Sequence, residues 1–348
     1  MNKQGFFDAH CHVFFMTDPA AFIRQTAKAN SGVFAVSVTP DEYVAGTAAL
    51  SRADIIKGRG TACFSMCATA AGKVFDRATT QKLYDRKAAD TATIQEGCDQ
   101  KAADRVTTQK LCDRKAADTA LTSVAGLGLH PWWVASDSQQ RALQLAEFDR
   151  HLSETCFVGE VGLDFSRRRA ATKQAQVEAF DHIARSCAHL SRETSVPRVL
   201  SIHCVHAFDD AFSILSSAGC LESCICVFHW FSGSFDQLHL AIDEDCYFSV
   251  SERMLSGGKG REYAKVIPQS RLLLETDAPF VRDPELNHPC VECSYSQVEE
   301  ELENTLHMLA SVRKQTEESL LHAINHNASR LLKTANSLPL SKDEIMGN

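Results

Sequence analysis

Apolar and polar positions alternate along this chain on two length scales. Short, nearly continuous apolar runs occur at Phe6–Phe14, Val33–Val38, Val124–Leu129, Phe157–Leu163, Val199–Val205, Ile225–Phe231, Cys246–Val250 and Leu272–Glu275. Between them lie longer stretches with helical spacing, such as "DPAAFIRQTAKAN", "SQQRALQLAEFDRHLSE" and "KQAQVEAFDHIARSCAHLSRE". Strands that are apolar on both faces are buried on both, as in a parallel sheet covered by helices. Eight such units predict an α/β chain folded as a closed (β/α)8 TIM barrel; an open doubly wound sheet is the alternative. Two more helices, "SQVEEELENTLHMLASVRKQ" and "ESLLHAINHNASRLLK", close the pattern.

One segment breaks the alternation. Residues 84–125 hold three tandem copies of a 14-residue unit, "YDRKAADTATIQEG", "CDQKAADRVTTQKL" and "CDRKAADTALTSVA", and "DRATTQKL" at 76–83 echoes the second. Seven Lys/Arg balance seven Asp/Glu across the block. A 14-residue period is about four helical turns and would align Tyr84, Cys98 and Cys112, but the many Thr and Asp weaken a helix. The organisation expected is a barrel over 1–335, interrupted by a low-complexity, repeat-containing insertion over 74–123 and followed by a disordered tail, 336–348. The insertion reads as a tolerated surface segment, with a protein-binding arm as the alternative.

Composition narrows the function classes. A net charge of −8 excludes a broadly basic coat, so any contact with nucleic acid must come from a local patch or bound metal. No run approaches the roughly 18 apolar residues of a membrane helix, and the polar start "MNKQG" does not read as a secretory leader. The expectation is a cytoplasmic chain with its fourteen cysteines reduced. Cys290 and Cys293 form a CxxC, and Cys220, Cys224 and Cys226 lie close in sequence, but the spacing is not that of zinc-finger pairs and weighs against a structural zinc.

Six side chains capable of binding metal sit in or at the ends of predicted strands: His10 and His12 in the first, Glu160 in the fourth, His203 in the fifth, His229 in the sixth and Asp277 after the eighth. Residues two apart on a strand share a face, so His10 and His12 should project together, with Asp8 beside them. In a barrel the C-terminal strand ends meet at one mouth. A single buried histidine is more often a hydrogen-bonded core residue than a ligand. Six such groups at the same end of their strands are not explained that way, because imidazole and carboxylate are costly to bury unless paired or metal-bound. The set suits two divalent ions, Mg2+, Mn2+ or Zn2+ by its N/O chemistry, with one carboxylate free to bridge.

The motifs "FFDAHCH", "GLGLHP", "VGEVGLD", "IH", "HWFSGS" and "IPQSRLLLETDAP", in this order, resemble the TatD family of metal-dependent deoxyribonucleases. The likeness covers nearly the whole chain outside the repeats and tail; "VFAVSVTPDEY", "CYFSVSERML" and "GGKGRE" are most similar to its QatD-type branch, which the family associates with anti-phage defence. The resemblance implies one metal held by His10, His12, Glu160 and Asp277, and a second by Glu160, His203 and His229 with Glu160 bridging. It implies DNA as substrate, cleaved at phosphodiester bonds, with removal from the 3′ end expected and cleavage inside a strand as the alternative. Two departures stand out: Phe14 replaces the family's usual Asp or Asn, and Val205 replaces an Arg expected to touch phosphate, with His206 next to it as a partial substitute.

Two ions about 3.5–4 Å apart can activate a water for in-line displacement, with Asp277 steering it and Glu160 between the ions. His130, in "GLHP", could bond phosphate or protonate the leaving oxygen, or serve only the turn. Arg167, Arg168 and Arg169 would supply a local positive patch, His206 a phosphate contact, and Trp230 a face for a base. Asp8 is expected to orient a ligand imidazole, with capping of the strand end as the alternative, and Glu275 to support Asp277. The rivals are another two-metal barrel hydrolase, acting on an amide, lactone or phosphotriester, and a catalytically degenerate barrel used as a partner-binding scaffold.

Overall fold

A computed structural model describes residues 4–52, 121–280 and 290–335, all of which fall within one compact unit. The repeats lie outside the described residues except for the end of the third copy, whose Val124 and Ala125 open a barrel strand. The expected tail, 336–348, also lies outside them.

Eight strands form: β1 Phe7–Cys11, β2 Gly32–Val36, β3 Val124–Leu129, β4 Phe157–Asp164, β5 Val199–Val205, β6 Ile225–His229, β7 Tyr247–Val250 and β8 Leu272–Leu274. They pair in sequence order into a closed barrel. Every pairing is parallel, and Asp8 opposite Leu274 joins β8 to β1. The sheet is therefore closed rather than doubly wound. The described helices are α1 Pro19–Lys28, α2 Pro40–Arg52, α3 Ser138–His151, α4 Lys173–Thr194, α5 Phe208–Ala218, α6 Cys220–Ser223, α7 Phe235–Asp243, α8 Glu252–Ser256, α9 Gly258–Val266, α10 Tyr295–Arg313 and α11 Glu317–Ala335. Local sequence sets their starts. Asp18 accepts from the backbone N–H of Ala21 ahead of Pro19 at α1, and Ser234 with Gln237 forms a reciprocal capping box at α7.

Four expected strands end early, all at the mouth, β2 at Val36 rather than Val38 and β8 at Leu274 rather than Glu275. β1 stops at Cys11, and Val13–Phe15 form a 3-10 turn, because the His12 N–H leaves the ladder for the Ala278 carbonyl at 2.8 Å. β6 stops at His229 because Trp230 takes a left-handed φ of 40°.

The barrel has two apolar layers. Leu127, Val158, Ile202, Phe228 and Phe248 face outward into the cluster shared with the helices. Phe7, Phe34, Val124, Phe157, Val199, Val227, Tyr247 and Leu273, one from each strand, fill the floor with Leu331 and Leu332 of α11. Above that floor, polar side chains take over.

Candidate metal centre

The polar layer is built around Glu160. On β4 the side chain of Phe157 enters the floor, and strict alternation would send Glu160 outward. The ladder to β5 shifts register between Val158 and Glu160, and this irregularity turns the carboxylate inward. Gly162 then lets β5 approach: its φ is +137°, and a Cβ there would lie 2.0 Å from the His203 carbonyl oxygen.

Five imidazoles surround the carboxylate, divided between its two oxygens. Oε2 lies 3.4 Å from His10 Nε2 and 3.3 Å from His12 Nε2. Oε1 lies 2.7 Å from His203 Nδ1, 2.9 Å from His229 Nε2 and 3.2 Å from His130 Nε2. Asp277, itself at a left-handed φ of 60°, places Oδ1 3.2 Å from His12 Nε2 and 3.7 Å from His10 Nε2. All six expected ligands and His130 thus meet at one mouth, and all are buried.

Three sets among the described residues have ligand atoms close enough to share an ion: His10, His12 and Glu160; His130, Glu160 and His203; and His10, His229 and Glu275. None includes a cysteine. His10 Nε2, His12 Nδ1, Glu160 Oε2, His203 Nε2 and His229 Nδ1 are buried with no hydrogen-bond partner. Such orphaned atoms cost about 1–3 kcal/mol each, and a cation between the rings and the carboxylate would satisfy several of them at once. The donor set fits a divalent metal.

The charges are those of a cation-free site. Burial works against the charged form of every group here. At Glu160 the imidazoles of His130, His10 and His229 outweigh it and hold the carboxyl well below the usual range. The carboxylates of Asp277 and Glu160 lift His12 to about 10, and those of Asp164 and Glu160 lift His203 to about 9. Burial prevails at His10 and His130, both pushed down to about 4.

Two supporting acids depart from the first reading of them. Asp8 takes the alternative role, capping the strand end, rather than orienting an imidazole. Its Oδ1 accepts from the backbone N–H groups of His10 and Thr276, each at 3.1 Å, and its Oδ2 from the Thr276 hydroxyl at 2.6 Å. The physical reason is a shift in the β1–β2 ladder between Asp8 and Cys11, which breaks the two-residue period on which the expectation rested. Asp8 instead fastens the end of β1 to the segment that presents Asp277, and burial pushes it up to about 8. Glu275 lies beside His229 rather than bonding Asp277. It accepts from Ser249 Oγ and from the Trp230 N–H at 3.0 Å, and it lies 3.9 Å from His229 Nδ1.

The expected substrate groups are spread around the rim. Arg167, Arg168 and Arg169 follow β4 on a short 3-10 turn, the first two exposed. His206 is exposed after β5 with φ 53°. Trp230 packs on Phe280, ring centroids 5.9 Å apart, and the neighbouring Phe231 is buried in the core.

Sequence reasoning passed over four contributors. Ser201 Oγ is 2.7 Å from His10 Nδ1, and its place two residues before His203 was the available signal. Asp164 Oδ2 lies 3.5 Å from His203 Nε2 and accepts from Trp132 Nε1. Contacts from His203, Ser166 and Trp132 hold Asp164 low against the pull of burial. Trp132 and Trp133 line the rim next to His130.

A parallel barrel with histidines and carboxylates gathered at its C-terminal mouth defines the class of metal-dependent barrel hydrolases. A family profile described as TatD related DNase matches residues 7–333, and the chain belongs to that family of hydrolases acting on ester bonds. The metal-dependent hydrolase YabD of Bacillus subtilis is 27% identical over 211 residues, 60% of this chain and 77% of that protein. The 3′-5′ ssDNA/RNA exonuclease TatD of Pantoea ananatis is 28% identical over 218 residues, 59% and 75% of the two chains. In fold, the chain is similar to a TatD family hydrolase from Entamoeba histolytica (TM-score 0.60, 14% identity, 95% and 99% covered) and to the TatD homologue YJJV of Escherichia coli (0.56, 18%, 94% and 97%). No described helix is long and apolar enough to cross a membrane.

Proposed function

We propose that the protein hydrolyses phosphodiester bonds in single-stranded DNA from the 3′ end, using two divalent cations held at the barrel mouth. One observation carries this reading: the two oxygens of Glu160 face separate histidine sets, His10 and His12 on one side and His203 and His229 on the other. A carboxylate so placed can bridge two cations, with Asp277 completing the first set. The exonuclease name of the Pantoea relative supports the choice of substrate and direction. Mg2+, Mn2+ or Zn2+ bound there would supply Lewis-acid charge and lower the pKa of a coordinated water.

The chain's own groups supply the rest. Ser201 Oγ lies 2.7 Å from His10 Nδ1, so with a cation on Nε2 the Nδ1–H would have the hydroxyl to donate to. His130 is set the other way round. Its Nδ1 accepts the Trp132 N–H at 3.0 Å, so its proton sits on Nε2, where it can bond a phosphate oxygen or the leaving group. Asp277 orients the attacking water and takes its proton. The buried floor beneath keeps bulk water out from below.

The test incubates purified protein with end-labelled single- and double-stranded DNA across a metal series, beside Glu160→Ala. Mononucleotides released one by one from the 3′ end support the reading. Turnover only of amides, lactones or phosphotriesters would transfer the site to that rival chemistry, and no turnover of any substrate would favour the scaffold.

A further inference from the structure

Trp132 and Trp133 are consecutive aromatic residues in the turn that leaves β3, directly after His130 and Pro131. The turn is tied down twice: the Trp132 N–H bonds His130 Nδ1, and the Trp133 N–H bonds the His130 carbonyl at 3.0 Å. The two indoles lie 6.1 Å apart with planes only 25° from parallel, and both are half-buried. Arg169 lays its guanidinium over Trp132, 4.9 Å from the ring centroid, and Phe15 flanks Trp133 at 6.3 Å. The inner edge of this strip touches His130, whose centroid is 4.9 Å from Trp132 and 5.1 Å from Trp133. One imidazole therefore separates the indoles from the Glu160 carboxylate.

The internal bonds of the turn explain why these residues hold their positions, but not why both are large aromatics left half in solvent beside a polar centre. Resting on the nuclease reading above, we propose that Trp132 and Trp133 form a ledge on which an unpaired nucleobase stacks, next to the phosphodiester held at the centre.

Three features fit that ligand. A nucleobase presents a flat π-face of indole size, and stacking accepts any base. Arg169 extends the flat surface and puts a fixed cation beside it, where the strand's phosphates pass. The ledge also demands an unpaired base, since a base inside a duplex is already covered on both faces. Trp132 is pinned through Nε1 to Asp164 and roofed by Arg169, so it forms the fixed wall. Trp133 carries the open face and is the specificity-determining residue.

Binding is measured without turnover, in chelator, by fluorescence anisotropy of a labelled oligothymidylate and of an abasic strand of equal length. The wild-type protein should hold the base-bearing strand at least about tenfold more tightly. Trp133→Ala should remove most of that preference and leave abasic affinity unchanged, and Trp133→Phe should restore it. Equal affinity of the wild-type protein for both strands would overturn the proposal, as would equal losses for both in Trp133→Ala. The wild-type comparison needs no variant to fold. Cleavage is assayed separately with metal restored: base preference without cleavage sinks the nuclease reading and keeps the ledge, whereas cleavage without base preference does the reverse.

Discussion

The hydroxyl of Ser201 on β5 meets Nδ1 of His10 on β1 at 2.7 Å, although the two strands stand on opposite walls of the barrel. His10 is fully buried and its Nε2 has no hydrogen-bond partner, so this contact holds the ring from its Nδ1 side and would accept the Nδ1 proton when Nε2 holds a cation. Ser201→Ala should lower cation affinity by about ten- to a hundredfold while the circular dichroism of the protein stays unchanged. Titration of the chelated protein with Mn2+ or Zn2+ measures it; unaltered affinity would mean that His10 is oriented by something else.

Among the described residues Glu160 is the group that faces both histidine sets, which makes Glu160→Gln the most telling single change. The amide keeps the shape and removes the charge that, beside Asp277 at His12 and Asp164 at His203, raises both imidazoles against the pull of burial. Hydrolysis should fall by at least about a hundredfold, and metal analysis should find less than the full complement of cations. A variant with near-normal activity would show that Glu160 does not bridge the cations.

The barrel could be read from the chain because each strand is a near-continuous apolar run and each ligand lies in or at the end of one. The side of a strand on which a residue falls could not be read so far. Period-two reasoning placed Asp8 beside the imidazoles, and a register shift between Asp8 and Cys11 turned it to Thr276. The matching shift on β4 brings Glu160 inward despite its parity with Phe157. Such irregularities depend on neighbouring strands and leave no local signature. Ser201 was missed because serine is not a metal-ligand type, and Trp132 and Trp133 because their meaning comes from Arg169, 36 residues further along than Trp133.

Gly162 should tolerate no side chain. Its φ is +137°, and the His203 carbonyl oxygen stands 2.0 Å from where a Cβ would fall, so Gly162→Ala must strain the backbone and push β4 from β5. A loss of at least about 2 kcal/mol is expected, read as a lower denaturation midpoint, with weaker cation binding because Glu160 and His203 sit on those two strands. A stability change under about 0.5 kcal/mol would show that the two strands part without cost.

The insertion gives a test of economy. Removing 84–120 spares Val124 and Ala125, which belong to β3, whereas a cut through 125 would damage the barrel. If the barrel alone carries the chemistry, the shortened protein should cleave single-stranded DNA at a rate within about threefold of the full chain. Loss of cleavage with the fold intact by circular dichroism would make the repeats part of the catalytic apparatus.

Cation binding should be strongly pH-dependent, and the cation-free fold should respond in the opposite sense. His12 and His203 are held protonated up to about 10 and about 9, so near neutral pH a cation must expel both protons. His10, pushed down to about 4, carries none to lose. His229, raised by Glu160 and Glu275 against the pull of burial, adds to the first two. Calorimetry in two buffers of different ionisation enthalpy should therefore report the release of at least about two protons per protein near pH 7.5, with affinity rising as pH rises until it passes about 10. For the chelated protein the same raised values mean that the folded state binds these protons more tightly than the unfolded chain, whose histidines titrate near about 6.5. That contribution to stability is complete below the unfolded value and is lost as pH climbs through 9 and 10. Denaturant titrations of chelated protein should show a falling midpoint across that window, and cation binding without proton release would show that His12 and His203 are already neutral in the free protein.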